Sequence, residues 1–352
     1  MKKDHPYRSQ PAKAFWRQTV SEPHFLSITD WYEKKWPITD ARISAAGSCF
    51  AQHLGRYLRN SGFDFQDFER PPVGLKPERW LDYGYNMYSA RYGNVYSPMQ
   101  LLQLMQRASG TFQPQETAWE HKGGVVDPFR PTIEPDPFGS VKELEACRES
   151  HLAAVSQLFR QTDLFVFTLG LTEAWRSKTD GSVYPVCPGT NGGAFDDSRY
   201  EFVNFNYKDT VGALKQFIKL ARDINKDMRF LLTVSPVPLV ATATTKQVLV
   251  ASSYSKAVLR AAAGFLADTY DFIDYFPSYE IISSHVMRGT FYKPDLRDVM
   301  DAGVEHVMKQ FFSVHVPPQK AEQKTPVPAN TEDEDDVMCD EILLEAFGDG
   351  KR

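Results

Sequence analysis

Asp163-Leu164-Phe165-Val166-Phe167-Thr168-Leu169 is a continuous apolar run that stops at Gly170. Such a run, without polar alternation, suits a strand covered on both faces, as in the middle of a parallel sheet. Arg229 to Val234, closing with Ser235-Pro236-Val237-Pro238, reads the same way, and so does the shorter Phe272 to Tyr275. Helical patterns separate these runs: Ser140 to about Gln161, Lys208 to Asp223, Ser253 to Asp268, and Asp301 to Phe312. Strands alternating with helices predict βαβ units, hence an α/β, three-layer αβα domain around a parallel sheet, with loop insertions.

One more strand is expected near the start, at Ile43-Ser44-Ala45-Ala46-Gly47. A helix from Cys49 to about Leu58 follows it, with Phe50, Leu54, Tyr57 and Leu58 on one side. Ser48 therefore stands at a strand-to-helix turn. Serine before a helix ordinarily serves as N-cap. The same position also holds a hydroxyl at the carboxyl edge of the sheet, beside helix-start N–H groups that can bind an anion. Spacing alone leaves cap and nucleophile both open.

The remaining segments are read more coarsely. Phe63 to Phe68 alternates strictly, which predicts a strand. Ser97-Pro98 starts a helix to about Ala108. Trp119 to Pro137 reads as a hairpin-like insertion, and residues 176–206 as loop, because Cys187-Pro188-Gly189-Thr190-Asn191-Gly192-Gly193 is turn chemistry. Three regions result: residues 1–40, an aromatic arm laid over the core; 41–315, the α/β domain; and 316–352, a disordered acidic tail. The tail's Asp340 to Phe347 forms a short amphipathic segment that could dock on a protein partner.

Composition excludes several classes. The chain has 352 residues, 42% hydrophobic and 24% charged, as expected of a globular protein. No apolar run approaches the roughly 18 residues of a membrane helix, and no apolar stretch follows the basic first residues as in a secretory signal. Cys49, Cys147, Cys187 and Cys339 lack metal-type spacing and read as reduced thiols, so a cytoplasmic location is expected. Net charge is −5, with −6 carried by Val316 to Arg352. A near-neutral body without a basic stripe argues against nucleic-acid binding. Phosphate or nucleotide binding at the Gly47 turn lacks its glycine-rich fingerprint and an acidic ribose partner.

Gly47-Ser48, Gly93-Asn94 and Gly170-Leu171-Thr172-Glu173 each lie after a strand or before a helix. Ligands bind at that edge of an open α/β sheet. A serine, two glycine loops and an amide could together assemble a nucleophile and an oxyanion hole. Cys49 is a rival nucleophile, but one residue into the helix its side chain should turn toward the sheet and pack. The general base is the missing part. Of the eight histidines, His285 alone lies in a loop after the last strand.

These residues carry a resemblance. Gly47-Ser48-Cys49-Phe50-Ala51 resembles the motif that names the GSCFA family, itself similar to the SGNH/GDSL hydrolases. Phe15-Trp16-Arg17, Tyr92-Gly93-Asn94-Val95-Tyr96, Thr168-Leu169-Gly170-Leu171-Thr172-Glu173 and Cys187-Pro188-Gly189-Thr190 look like further blocks. So do Ser235-Pro236-Val237-Pro238 and Tyr275-Phe276-Pro277-Ser278-Tyr279-Glu280, and the likeness spans roughly residues 7 to 314. It implies a flavodoxin-like, SGNH-type fold and a serine esterase site. Ser48 would be the nucleophile, with its own N–H in the oxyanion hole, and Gly93 would take the second-block glycine role with Asn94 beside it. The family's Gly-x-Asn-Asp block is replaced by Gly170-Leu171-Thr172-Glu173, where the Thr172 hydroxyl, or Asn94, would complete the hole. The closing Asp-x-x-His is matched by Asp295-Leu296-Arg297-Asp298, with aspartate in the histidine's place. A serine nucleophile needs a base, so His285 is expected to supply it, with Asp295 orienting the imidazole.

The expected activity is acyl-ester hydrolysis on an acylated carbohydrate or similar small ester, with no metal and no cofactor. The carbohydrate rests on the aromatic residues from Trp80 to Tyr96 as stacking surfaces. O-acyl transfer to a polysaccharide uses the same parts. A degenerate scaffold binding a glycan or a partner is the non-catalytic alternative.

Overall fold

The structure, a computed structural model, describes residues 5–318 and Leu344. The acidic tail beyond Pro318, with most of its amphipathic segment, lies outside the described residues. In chain order the strands are β1 (Ile43–Gly47), β2 (Trp119–His121), β3 (Gly124–Val126), β4 (Leu164–Leu169) and β5 (Glu173–Ser177). They continue with β6 (Val183–Tyr184), β7 (Tyr200–Asn204), β8 (Arg229–Val234) and β9 (Ile273–Tyr275). The helices are α1 (Phe50–Asn60), α2 (Pro98–Ala108), α3 (Val141–Gln161), α4 (Tyr207–Ile224), α5 (Val248–Thr269), α6 (Ser278–Ser283) and α7 (Asp301–Val314).

The main sheet is parallel, in the order β1-β4-β8-β9. Side-chain alternation sorts its residues between two cores. Ala46, Phe165, Phe167, Leu169, Phe230, Leu232 and Val234 face the layer of α2, α3, α4 and α5. Ile43, Ala45, Leu164, Val166 and Leu231 face the layer of α1, α6 and α7. Right-handed crossovers explain the division: strands added in one direction send α3, α4 and α5 to one face. The apolar runs of β4 and β8 are thus buried on both sides, as their composition predicts.

The alternating Phe63–Phe68 segment forms no strand. It contributes a single parallel bridge, Phe65 to Ile43, on the outer side of β1, held by Ile43 N–H to Asp64 O and Gln66 N–H to Ile43 O, both 2.8 Å. Counting that bridge, strand order becomes the flavodoxin-type 2-1-3-4-5, which places the topological switch point between β1 and β4. Residues 176–206 also differ from expectation. They hold much of a three-stranded antiparallel sheet, β6-β5-β7. Its strands are short and broken by turn residues, so no run was long enough to show a period of two.

The amino-terminal arm is a chain of short helical turns whose Ile28 and Ile38 are buried in the α1/α6/α7 core, with Phe25, Trp31, Tyr32 and Trp36 packed on it. The Tyr32 hydroxyl donates to Asp274 Oδ2 at 2.6 Å and lies 3.1 Å from His315 Nε2.

Two buried histidines give the fold an acid sensitivity. Burial depresses His151, fully enclosed, and His315, 2% exposed, each to about 4. Both are therefore neutral near pH 7, and the unfolded chain takes up their protons first as pH falls below about 6.5. Their contribution, on the order of 2 kcal/mol each, is complete above about pH 6.5 and lost by about pH 4. Glu69, held down to about 2 by His151 and Arg130, adds its loss only below the usual glutamate range. The melting temperature should fall steadily from pH 7 to pH 4.5; a flat profile over that interval would contradict the neutral assignments.

Candidate functional site

β1 ends at Gly47, opposite Thr168 of β4. Gly47 has φ +149°, and a Cβ there would stand 2.5 Å from the Thr168 carbonyl oxygen and 2.8 Å from Thr168 Cβ. Glycine is required for both reasons. The approach lets the Ser48 N–H reach Thr168 O at 3.2 Å and delivers Ser48 to the switch point. Ser48 is 3% exposed, and its Oγ, shut off from solvent, has no hydrogen-bond partner among the described residues. It does not cap α1: the cap position belongs to Cys49, which already has helical dihedrals and makes no side-chain cap bond. A buried hydroxyl without a partner forgoes about 1–3 kcal/mol, so its retention at this turn calls for an explanation.

The other loops converge on this serine. Val95 N–H donates to Gly47 O at 2.9 Å, while Gly170 and Leu171 N–H both donate to Tyr96 O, at 2.9 and 3.2 Å. A Cβ on Gly170 would lie 3.0 Å from Ser48 Cβ, so the third block packs directly against the serine. Gly93 adopts φ +68°, and its N–H makes no hydrogen bond among the described residues. Beside it, buried Asn94 receives the Tyr88 hydroxyl on Oδ1 at 2.5 Å; that hydroxyl also lies 3.2 Å from Ser48 O and accepts from Gln52 Nε2 at 3.2 Å. With Oδ1 so engaged, Nδ2 is the donor end of the amide.

Behind the Gly93–Asn94 loop sits a buried ion cluster. Asp127, 1% exposed, faces the guanidinium of Arg130 at 3.1 Å and that of Arg148 at 3.3 Å; the arginines hold its carboxyl far below the usual range. Arg130 also donates to Arg91 O at 3.0 Å, and Glu69 Oε2 takes both Arg91 N–H, at 2.8 Å, and His151 Nδ1, at 2.7 Å. The cluster braces the chain just before Gly93.

The expected third-block roles are distributed differently. The Thr172 hydroxyl donates to Asn204 Oδ1 at 2.7 Å, so its proton is committed to the β5–β7 sheet. The Thr172 N–H donates to Ser255 Oγ at 2.9 Å. Glu173 accepts from the Thr242 hydroxyl at 2.7 Å, and burial raises its pKa. Ser48 N–H, expected in the oxyanion hole, is bonded to Thr168 O.

His285 and Asp295 are not joined to Ser48 or to each other. His285 is exposed at a helical turn after α6 and stacks on Trp16 of the arm, ring centres 5.8 Å apart. Asp295 Oδ1 accepts the N–H groups of Arg297 and Asp298, at 3.0 and 3.1 Å, closing its own turn. Of the aromatic residues from Trp80 to Tyr96 expected to stack on a sugar, Tyr88, Tyr92 and Tyr96 are buried, while Trp80, Tyr83 and Tyr85 are half-buried.

Two residues missed from sequence support the third block. Ser255 and Lys256 lie on the buried face of α5, the former holding Thr172 N–H and the latter donating from Nζ to Gly170 O at 2.6 Å. The signal in the sequence is a lysine on the same helical stripe as Ser252, Leu259, Ala263 and Leu266, a position that lysine rarely takes.

Among the described residues there is no group of three His, Cys, Asp or Glu side chains that could hold a metal ion, and no helix long and apolar enough to cross a membrane. Cys49, Cys147 and Cys187 are thiols, not disulfides. Comparison with curated proteins gives no match. The model of the GSCFA family matches residues 42–311, from the start of β1 to the end of the core of α7. That match takes in the serine turn, both glycine loops and the whole parallel sheet, and the chain belongs to the GSCFA family.

Proposed function

We propose that the protein carries out acyl-ester chemistry at Ser48, as a hydrolase or as an acyltransferase to a hydroxyl acceptor. One observation carries the reading: Ser48 Oγ is buried and unpartnered at the sheet's switch point, on a turn that only glycine at position 47 permits. In this mechanism Oγ attacks the ester carbonyl and the Gly93 N–H and Asn94 amide receive the developing oxyanion. Asn94 is oriented for that by Tyr88. Gly170 keeps the serine's flank free of a side chain, and Thr172 and Glu173 fix the loop through Asn204 and Thr242. Oxyanion-hole donors of this kind contribute about 10²–10³ in rate each. Water or an acceptor hydroxyl then resolves the acyl-serine. The substrate is an acyl ester whose carbonyl reaches this edge; for a carbohydrate alcohol, Tyr88, Tyr92 and Tyr96 are core, which leaves Trp80, Tyr83 and Tyr85 as the stacking surfaces.

The second reading is a binding scaffold without turnover. It is favoured by Ser48 N–H being bonded to Thr168 O and by His285 lying against Trp16. Turnover of p-nitrophenyl acetate separates the two. Ser48→Ala should lower it by at least about 10³-fold, the effect of losing a covalent nucleophile. Equal rates for the two proteins would leave only the scaffold.

A further inference from the structure

We propose that Lys256 is the general base for Ser48, taking the role expected of His285; this rests on Ser48 being the nucleophile. Lys256 is 3% exposed and is the one lysine among the described residues that is buried. Its Nζ donates to Gly170 O at 2.6 Å, and a Cβ on that same glycine would stand 3.0 Å from Ser48 Cβ. Amine and hydroxyl thus flank one residue at the switch point. The two fully buried histidines are engaged elsewhere, His151 with Glu69 and His315 with Tyr32. A lysine taken out of water favours its neutral form, which is what makes buried lysines effective bases. A neutral amine can keep one N–H on Gly170 O and turn its lone pair toward Oγ once substrate draws the two together.

The step balances without a co-reactant. As Oγ bonds to the acyl carbon, its proton passes to Nζ. The carbon–oxygen bond to the leaving alcohol breaks, and the ammonium returns the proton to the departing alkoxide. Nζ then takes a proton from water as it attacks the acyl-serine, and gives it back to Oγ when the acid leaves.

Ionisable groups on the surrounding elements are engaged as follows. Glu173 of β5 bonds Thr242, and Arg260, one turn further along α5, pairs with Glu280 of α6, which also receives the Tyr275 hydroxyl of β9. Cys49 adjoins Ser48 on α1.

The test is the rate at which a fluorophosphonate labels Ser48 in the full-length protein, followed by mass against pH and temperature. Lys256→Arg keeps a donor for Gly170 O but cannot lose its proton, so it should label at least about 100-fold more slowly than wild type. Lys256→Met should do the same. In the wild type, the rising limb should shift strongly with temperature, as amine ionisation does. Wild-type labelling at Ser48 with Lys256→Arg equally fast would remove the base assignment and leave the nucleophile standing. A limb insensitive to temperature, the mark of a carboxylate, would overturn it without any variant. Absence of Ser48 labelling in the wild type would overturn both.

Discussion

Gly47→Ala should lower the stability of the protein by at least about 3 kcal/mol and abolish reaction at Ser48. Two independent costs meet at this residue. A non-glycine residue at φ +149° is strained by about 1–3 kcal/mol. The added methyl would also fall 2.5 Å from Thr168 O and 2.8 Å from Thr168 Cβ, and one of these atoms is backbone in a central strand. Overpacking of that kind costs about 1–3 kcal/mol more, since β4 is pinned between β1 and β8 and cannot retreat. Any relief must come from moving the turn, which carries Ser48 away from the loops of Gly93 and Gly170. Chemical denaturation of Gly47→Ala beside Gly212→Ala measures this. Gly212 lies in helix α4 with open space where its Cβ would be, so alanine there should stabilise by about 0.5–1 kcal/mol. Equal, small effects at both positions would show that the close approach at Gly47 is not required.

Asp127→Ala should be destabilising by about 3–5 kcal/mol, a fall in melting temperature of about 10 °C or more. Asp127 stands between Arg130 and Arg148, while Arg107 lies nearby with its guanidinium over the Phe129 ring, 3.9 Å from the centroid. Arg130 and Arg107 are 3% and 7% exposed, and burial lowers Arg107 to about 10 even with Asp127 present. Removing the carboxylate leaves positive charges facing one another without solvent, which is why breaking a buried pair costs more than the pair contributes. Because Arg130 holds Arg91 O, the loss should spread to the Gly93–Asn94 loop, and Ser48 reactivity should fall even below the melting temperature. Thermal unfolding with and without the substitution decides it. A change under about 1 kcal/mol would mean that the cluster is solvated enough to do without its central anion.

The layers of this fold could be read from the chain because β4 and β8 are uninterrupted apolar runs and their flanking helices are long and well capped. Ser97 and Ser140 cap α2 and α3, as their positions suggest. Elements that depend on tertiary partners were not legible. Phe63–Phe68 alternates like a strand, yet only Phe65 meets β1, and β5, β6 and β7 are stabilised by cross-strand pairs such as Trp175 with Phe202. That Ser48 and the three glycine loops sit at turns could be read because turn chemistry is local. The surroundings of His285 could not. A loop histidine looks available in sequence, and nothing local reveals that Trp16, 269 positions away, stacks on the ring of His285. Nor does a single lysine on an amphipathic helix announce which face is buried.

The central claim is that Ser48 is a nucleophile. Reaction of the protein with a fluorophosphonate, followed by peptide mapping, tests it most directly. A single adduct is expected on the peptide containing Ser48, absent after heat denaturation and absent in Ser48→Ala. No adduct, or one carried by Cys49 or any other residue while Ser48 stays unmodified, would contradict it.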